Sequence, residues 1–161
     1  MHAIIADMNM DKRRVNVRAL IYNDGKILAV KHKSETGEEP AYWAVPGGGL
    51  DPFESLEEGV AREVYEELGI KAQVGRLLFV QQFKSTRPAR DEELEFIFLI
   101  ENADDFLDID LSKSTHGEAE LARCEFIDPQ TETVLPSLLS KLDMKSYSER
   151  IHPVFFYAAL D

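Results

Sequence analysis

Residues 48 to 70, GGLDPFESLEEGVAREVYEELGI, carry a helix with its start and stop signals in place. Ser55 followed by Glu58 has capping-box spacing, in which each side chain accepts from the other residue's backbone N–H. Gly69 suits the left-handed position just past a helix end. The spacing predicts a helix over 56–68, in which Val60, Ala61, Val64 and Leu68 form an apolar stripe for burial against a sheet. Glu63, Glu66 and Glu67 break the local rules of that helix. Residues three and four apart are neighbours, so each like-charged pair costs roughly 0.2–0.5 kcal/mol. Their place in the last turn, where the carbonyl ends carry partial negative charge, adds about 0.3–1 kcal/mol each. Two readings fit: a solvated acidic face, common in a chain with 30 Asp and Glu, or a site where a divalent cation turns repulsion into chelation.

Immediately upstream, Gly47 and Gly48 let backbone carbonyls approach a ligand with no side chain in the way. Tyr42 to Val45 is a brief strand ending at Pro46, preceded by a polar surface loop over 32–41. Further back, Val15 to Tyr22 alternates apolar with other residues, Asn23-Asp24-Gly25 supplies a turn, and Lys26 to Val30 resumes, which reads as a β-hairpin. Downstream, Ala72 to Gln82 and Leu94 to Ile100 read as strands around a charged loop, KSTRPARDEE, and Asn102 to Asp110 as an acidic loop. Leu121 to Ile127 reads as another strand. Val134 to Leu142 reads as a second helix, and the tail Tyr147 to Tyr157 as core or an association surface. Strands interleaved with two helices predict an α/β fold, a mixed sheet covered on both faces.

At 161 residues the chain fits one domain, 1–161, with no repeat or linker to divide it. The net charge of −12 argues against a nucleic acid polymer, whose affinity comes from many Lys and Arg contacts to phosphate. A small phosphorylated ligand remains open, held by local arginines, backbone amides or a divalent cation. No apolar run reaches bilayer length, and the first residues place their basic cluster after the apolar patch Ala3–Ile5, the wrong order for a secretory signal. With Cys124 the only cysteine, no internal disulfide is possible, and the expected compartment is the cytoplasm.

The same stretch resembles the Nudix box: Gly48, Glu54, Arg62, Glu63, Val64, Glu66, Glu67, Gly69 and Ile70 stand at its specified positions with its gaps. The flanking strands and terminal helix extend the likeness over about Val15 through Leu142. The resemblance implies a Nudix-type α/β/α sandwich. It implies a hydrolase of nucleoside diphosphates linked to another moiety, dependent on magnesium or sometimes manganese. Glu63 and Glu67 are implied as the principal metal ligands, Glu66 as an additional one, and the Gly47 carbonyl as a further hard oxygen donor. Arg62 would orient the glutamates, and Glu54 would tie the loop to the helix.

The resemblance implies a general base that is either Glu63 or, outside the box, Glu118 or Glu120, with Glu120 slightly preferred; the alternative for Glu118 and Glu120 is a pair of solvated loop residues. Lys84, Arg87 and Arg90 are placed to hold a terminal phosphate or ribose, or else are a solvated loop balanced by Asp91, Glu92 and Glu93. Trp43 and Tyr42 either stack on a base or pack in the core. His116, His152 and Cys124 read as surface or packing residues. Pro88 sits one residue off the spacing that marks ADP-ribose hydrolases in the family, and Ala89 replaces a frequent glycine, so triphosphates, ADP-ribose and nucleotide sugars all stay open. The alternative class is a non-catalytic Nudix-fold nucleotide sensor. Homodimers are common among relatives, and the Val154 to Tyr157 tail offers an apolar surface for one.

Overall fold

The computed structural model of the chain describes residues 12–34, 36–88 and 90–160. The leader reading at the extreme N-terminus and the Ala89 reading therefore lie outside the described residues. Helix α1 (Leu56–Leu68) forms where its caps dictate. The Ser55 N–H donates to Glu58 at 2.9 Å, the Glu58 N–H donates to Ser55 Oγ at 3.2 Å, and Gly69, at φ 71°, donates its N–H to the Tyr65 carbonyl. Val60, Val64 and Leu68 are buried as expected; Ala61 is only partly buried, and Glu67 joins the buried side.

Strands β1 (Arg13–Leu20), β5 (Gly47–Gly49), β6 (Val74–Lys84), β7 (Glu92–Ile100) and β10 (Phe155–Ala159) form one mixed sheet in the order β10-β6-β7-β1-β5. A second sheet is built on β3 (Lys26–His32), which pairs with β2 (Tyr22–Asn23), β4 (Trp43–Ala44) and β8 (Leu121–Ile127); β9 (Val134–Leu135) pairs with β4. One apolar layer joins Val17, Ala19, Leu28 and Phe98 to Val60, Val64 and Leu68 of α1. The other joins Phe79, Ile97, Trp43 and Leu139 to Met144 of α3 (Met144–Glu149). Helical elements thus cover both sides, as in an α/β/α sandwich. Among the described residues no helix is long and apolar enough to cross a membrane.

Two expectations are corrected. Val15 to Tyr22 is not one arm of a hairpin. Only Tyr22–Asn23 folds back on Lys26–Ile27 across Asp24-Gly25, whereas β1 runs parallel to β7 with Arg13 opposite Glu92 and Leu20 opposite Leu99. Alternation fixes which face a residue takes, and the partner is set by distant matches such as Arg18 with Glu95 at 3.0 Å. Val134 to Leu142 is not a helix. Pro136 lacks an N–H and bars the preceding residue from helical geometry, so 134–135 become β9 and only a 3₁₀ turn, Ser137–Ser140, follows.

Candidate active site

The site grows from the contact of α1 with β5. Gly47 donates its N–H to Glu67 Oε2 at 2.9 Å, and the Gly47 carbonyl accepts from Arg18 Nη1. The Glu63 carboxylate lies over Gly48, occupying the place any Cβ there would need. The bare backbone of β5 is thus required at Gly48 by what α1 lays across it, and at Gly47 and Gly49 by the Val17 carbonyl and the Arg14 side chain of β1.

Arg62 organises the carboxylates. Its Nε and Nη2 grip Glu54 at 2.8 and 3.0 Å, its Nη1 reaches Glu63 at 2.9 Å and Glu66 at 3.2 Å, and Nη2 also donates to the Gly49 carbonyl at 3.0 Å. The Glu54 carboxylate foremost, with Glu63 after it, pushes the Arg62 pKa further up. Glu54 accepts from the Asp51 N–H as well, which ties the loop to the helix. Behind β5 a polar ladder crosses the sheet: Gln81 donates to Glu95 at 2.6 Å, Glu95 takes Arg18, and Arg18 meets Gly47. Glu95 is 5 % exposed, and each of its oxygens has a partner, as burial demands.

Glu67 is the anomaly. It is 4 % exposed, and its closest ion-pair contact, His32 Nε2, stands at 3.9 Å. Burial raises its pKa to about 7; the Gly47 N–H and Arg18 oppose the rise, while Glu63 and Glu120 add to it. Burial, then Arg18, lowers the His32 pKa, so the imidazole is a poor counter-charge. A buried carboxyl with so weak a counter-charge suits a hard cation, and so does the oxygen chemistry of Glu63, Glu66, Glu67 and the Gly47 carbonyl. In this arrangement the carboxylates do not yet converge: among the described residues no three His, Cys, Asp or Glu side chains are grouped to share one ion. Arg62 holds Glu63 and Glu66, and Gly47 holds Glu67.

The remaining expected residues divide. Glu120 ends α2 (Gly117–Glu120), within electrostatic reach of both Glu67 and His32. Glu118 is exposed, and its backbone carbonyl accepts from Lys33 Nζ at 2.7 Å. Arg87 and Arg90 lie on the turn between β6 and β7, and Lys84 is exposed at the end of β6. Trp43 is corrected to a core residue: it is 3 % exposed, its indole N–H donates to Glu132 at 3.3 Å, and Lys31 and Arg123 cover its ring at 4.9 and 4.8 Å. Cys124 is half-buried, and desolvation pushes its thiol up to about 12, far from a reactive thiolate. His152 stacks on Tyr147, as a packing residue does.

Sequence reasoning missed Arg14, Arg18, His32 and His116. His116 donates its backbone N–H to the Glu66 carbonyl at 2.8 Å and holds Nδ1 3.6 Å from the Glu66 carboxylate. For Arg14 and Arg18 a signal existed: Arg14, Asn16 and Arg18 alternate with Val15, Val17 and Ala19, putting a polar row on one face of β1.

The family model of the NUDIX domain matches residues 12–143. The nucleoside triphosphatase NudI of Escherichia coli K12 is 36% identical over 94 residues, spanning 55% of this chain and 67% of that protein. The crystal structure of the MutT protein from Methanosarcina mazei Go1 is 27% identical, covers 82% of this chain and 91% of its own, and superposes with a TM-score of 0.60. An ADP-ribose pyrophosphatase from Streptococcus suis has the same fold at 18% identity, with a TM-score of 0.60 over 89% of this chain and 98% of its own.

Proposed function

Because this chain belongs to the NUDIX domain family, we propose that it is a pyrophosphohydrolase cleaving a nucleoside diphosphate linked to a further moiety, by attack of water at phosphorus. The observation that carries this is Glu67, buried beside Glu63 and Gly47 with too little positive charge to balance it. Glu63, Glu66, Glu67 and the Gly47 carbonyl would hold a divalent cation, magnesium or manganese. When bound, such an ion neutralises phosphate oxygens and lowers the pKa of water.

The rest is done by the chain. Arg62 fixes the Glu63 and Glu66 carboxylates through one guanidinium, so that their mutual repulsion does not splay them. Arg18 anchors β5 from behind and keeps the Gly47 carbonyl in place. Glu120 is the general base: it is exposed, so it can take a proton from the attacking water and pass it to bulk solvent, and it faces the Glu67 and His32 end of the site. Losing a general base costs about 10²–10⁴ in rate.

Substrates in keeping with the relatives are a nucleoside triphosphate, as named for the Escherichia coli protein, or ADP-ribose, as named for the Streptococcus suis one. The lone thiol suits a cytoplasmic setting. A homodimer through β10, with Phe155, Phe156 and Tyr157 all exposed at the sheet edge, belongs to the same reading; light scattering giving a monomer mass at micromolar concentration would remove it.

The deciding experiment measures phosphate and nucleoside monophosphate release from a nucleotide panel, with and without magnesium. Release with magnesium is expected, and Glu67→Gln should fold and lose at least about a hundredfold in kcat. An active Glu67→Gln protein contradicts the assigned role. Nucleotide binding with no release from any member of the panel would make the protein a sensor instead.

A further inference from the structure

Helix α2 has only four residues, Gly117–Glu120, too few for a helix to be stable unaided. Its front end is docked on α1, where the His116 N–H donates to the Glu66 carbonyl at 2.8 Å. Within the turn, the Ala119 and Glu120 N–H groups both donate to the His116 carbonyl, and the Leu121 N–H donates to that of Gly117. The Glu118 and Glu120 carbonyls are bonded from outside the helix, and both by the same residue, Lys33. Its ammonium donates to the Glu118 carbonyl and its backbone N–H to the Glu120 carbonyl, each at 2.7 Å.

Lys33 stands exposed just past the end of β3, in a chain with 30 Asp and Glu. Among the described residues its ammonium nevertheless forms no ion pair and meets a backbone carbonyl instead. A lysine on the last carbonyls of a helix satisfies acceptors that lack intrahelical partners and opposes their partial negative charge. The backbone bond depends on an irregularity in the second sheet. β3 and β8 pair antiparallel as far as Lys31 with Arg123, but the next pair is His32 with Leu121, which leaves Ala122 as an extra residue in β8. Regular pairing would set Leu121 opposite Lys33. The bulge shifts the chain by one residue along β3 and so brings the Glu120 carbonyl to the Lys33 N–H. Bulges beside a site re-aim side chains, and the side chain next to this one is Glu120, within electrostatic reach of Glu67 and His32.

We propose that Lys33 is a positioning residue for Glu120: with its ammonium on the Glu118 carbonyl and its N–H on the Glu120 carbonyl, it straps the end of α2 to β3 and aims the base at the Glu67 side of the site. The inference rests on Glu120 as the base of the pyrophosphohydrolase reading and deepens it by naming what holds that base. An exposed carboxylate on a four-residue helix has no packing of its own to fix it. Contact with α1 fixes the front of α2, and Lys33 fixes the back. A reacting group misplaced by about 1 Å loses up to a hundredfold in rate, so a strap that touches neither substrate nor metal still acts on the chemical step.

The test compares wild type with Lys33→Met, Lys33→Arg, Glu120→Gln and the double variant Lys33→Met/Glu120→Gln. In metal-free protein with EDTA present, amide hydrogen exchange at Ala119 and Glu120 is followed by NMR. Exchange should be about fivefold faster in Lys33→Met and near wild type in Lys33→Arg, which keeps a donor on a stem of similar reach. With magnesium and the best-cleaved nucleotide of the panel, Lys33→Met should lower kcat about fivefold or more at unchanged KM, and Lys33→Arg should restore most of it. In the Glu120→Gln background Lys33→Met should cause no further loss, because a residue that only aims the base has no effect once the base is gone.

Unchanged exchange or a full kcat in Lys33→Met overturns the inference. A loss expressed in KM overturns it as well, since that marks a substrate contact, and so does a loss that recurs in full beside Glu120→Gln. Full activity of Glu120→Gln alone removes the base assignment and leaves Lys33 nothing to aim. If wild type cleaves no nucleotide, the hydrolase reading fails by itself, while the exchange rates still decide whether Lys33 fixes α2.

Discussion

Glu67 sits at the end of a chain of packing decisions made elsewhere in the molecule. Its i+4 relation to Glu63 is legible from residues 62–70, and so was its expected part in holding a cation. Its burial was not legible, because it depends on Gly47, 20 residues away, closing over it with a backbone N–H. That burial has a measurable consequence in the metal-free protein. Desolvation lifts the carboxyl from 4.5 to about 7, so the folded state holds this proton more tightly than the unfolded chain does. A folded pKa above the unfolded one contributes stability that is fully present below about 4.5 and is lost as pH rises through about 7. The shift corresponds to about 3 kcal/mol, undiluted by solvent because the group is buried. Urea denaturation at a series of pH values, with EDTA present, should therefore show wild type losing stability relative to Glu67→Gln across that window. A constant difference between the two proteins would mean that Glu67 is not desolvated.

The elements around α1 fix the position of α2, and with it that of Glu120, the proposed base. The last carbonyls of a helix lack intrahelical partners; here Tyr65 receives the Gly69 N–H at 2.9 Å and Glu66 the His116 N–H at 2.8 Å. The segment before α2 is thereby docked on the C-terminal end of α1, so closely that a Cβ at Gly117 would collide with the Glu67 carbonyl oxygen. Gly117→Ala should force α2 away from α1 and carry Glu120 with it. Overpacking of this kind costs about 1–3 kcal/mol. Displacing a reacting group by about 1 Å costs up to a hundredfold in rate. The variant should thus remain folded at 25 °C while kcat drops at least about tenfold, and kinetics at saturating substrate, beside a thermal melt, would check both. A full kcat would show that α2 does not position the base. The caps of α1 were readable because they are local in sequence: Ser55, Glu58 and Gly69 place both ends within the helix's own neighbourhood. Pro136 was equally local evidence, and the helix expected over 134–142 passed over it.

Across the whole molecule, strand content could be read from alternation, but partnership could not. β8 occupies Leu121–Ile127, the span that its apolar run marks. The parallel pairing of β1 with β7 sets Arg13 opposite Glu92 and Leu20 opposite Leu99, its side chains bond between residues 77 apart, Arg18 with Glu95 and Asn16 with Glu93, and no periodicity within either strand encodes that choice. The polar ladder from Gln81 through Glu95 and Arg18 to Gly47 runs along one of those distant matches. The same distribution of charge governs the response to metal. A net charge of −12 makes the fold self-repelling, and Glu63, Glu66 and Glu67 concentrate that repulsion at one place, where Arg62 and Arg18 oppose it. A cation that binds the folded state alone stabilises it by mass action, about 2.7 kcal/mol at a hundredfold excess over Kd. For a chain of this length that raises Tm by roughly 5–10 °C. Magnesium added to EDTA-treated protein should produce a shift of this size in a thermal melt. Glu67→Gln should abolish most of it, while an equal ionic strength of sodium chloride should reproduce little, since screening acts on the whole surface and not on one buried carboxylate. A shift that survives in Glu67→Gln, or that salt alone supplies, would place the stabilising cations on the general acidic surface rather than at the junction of α1 and β5.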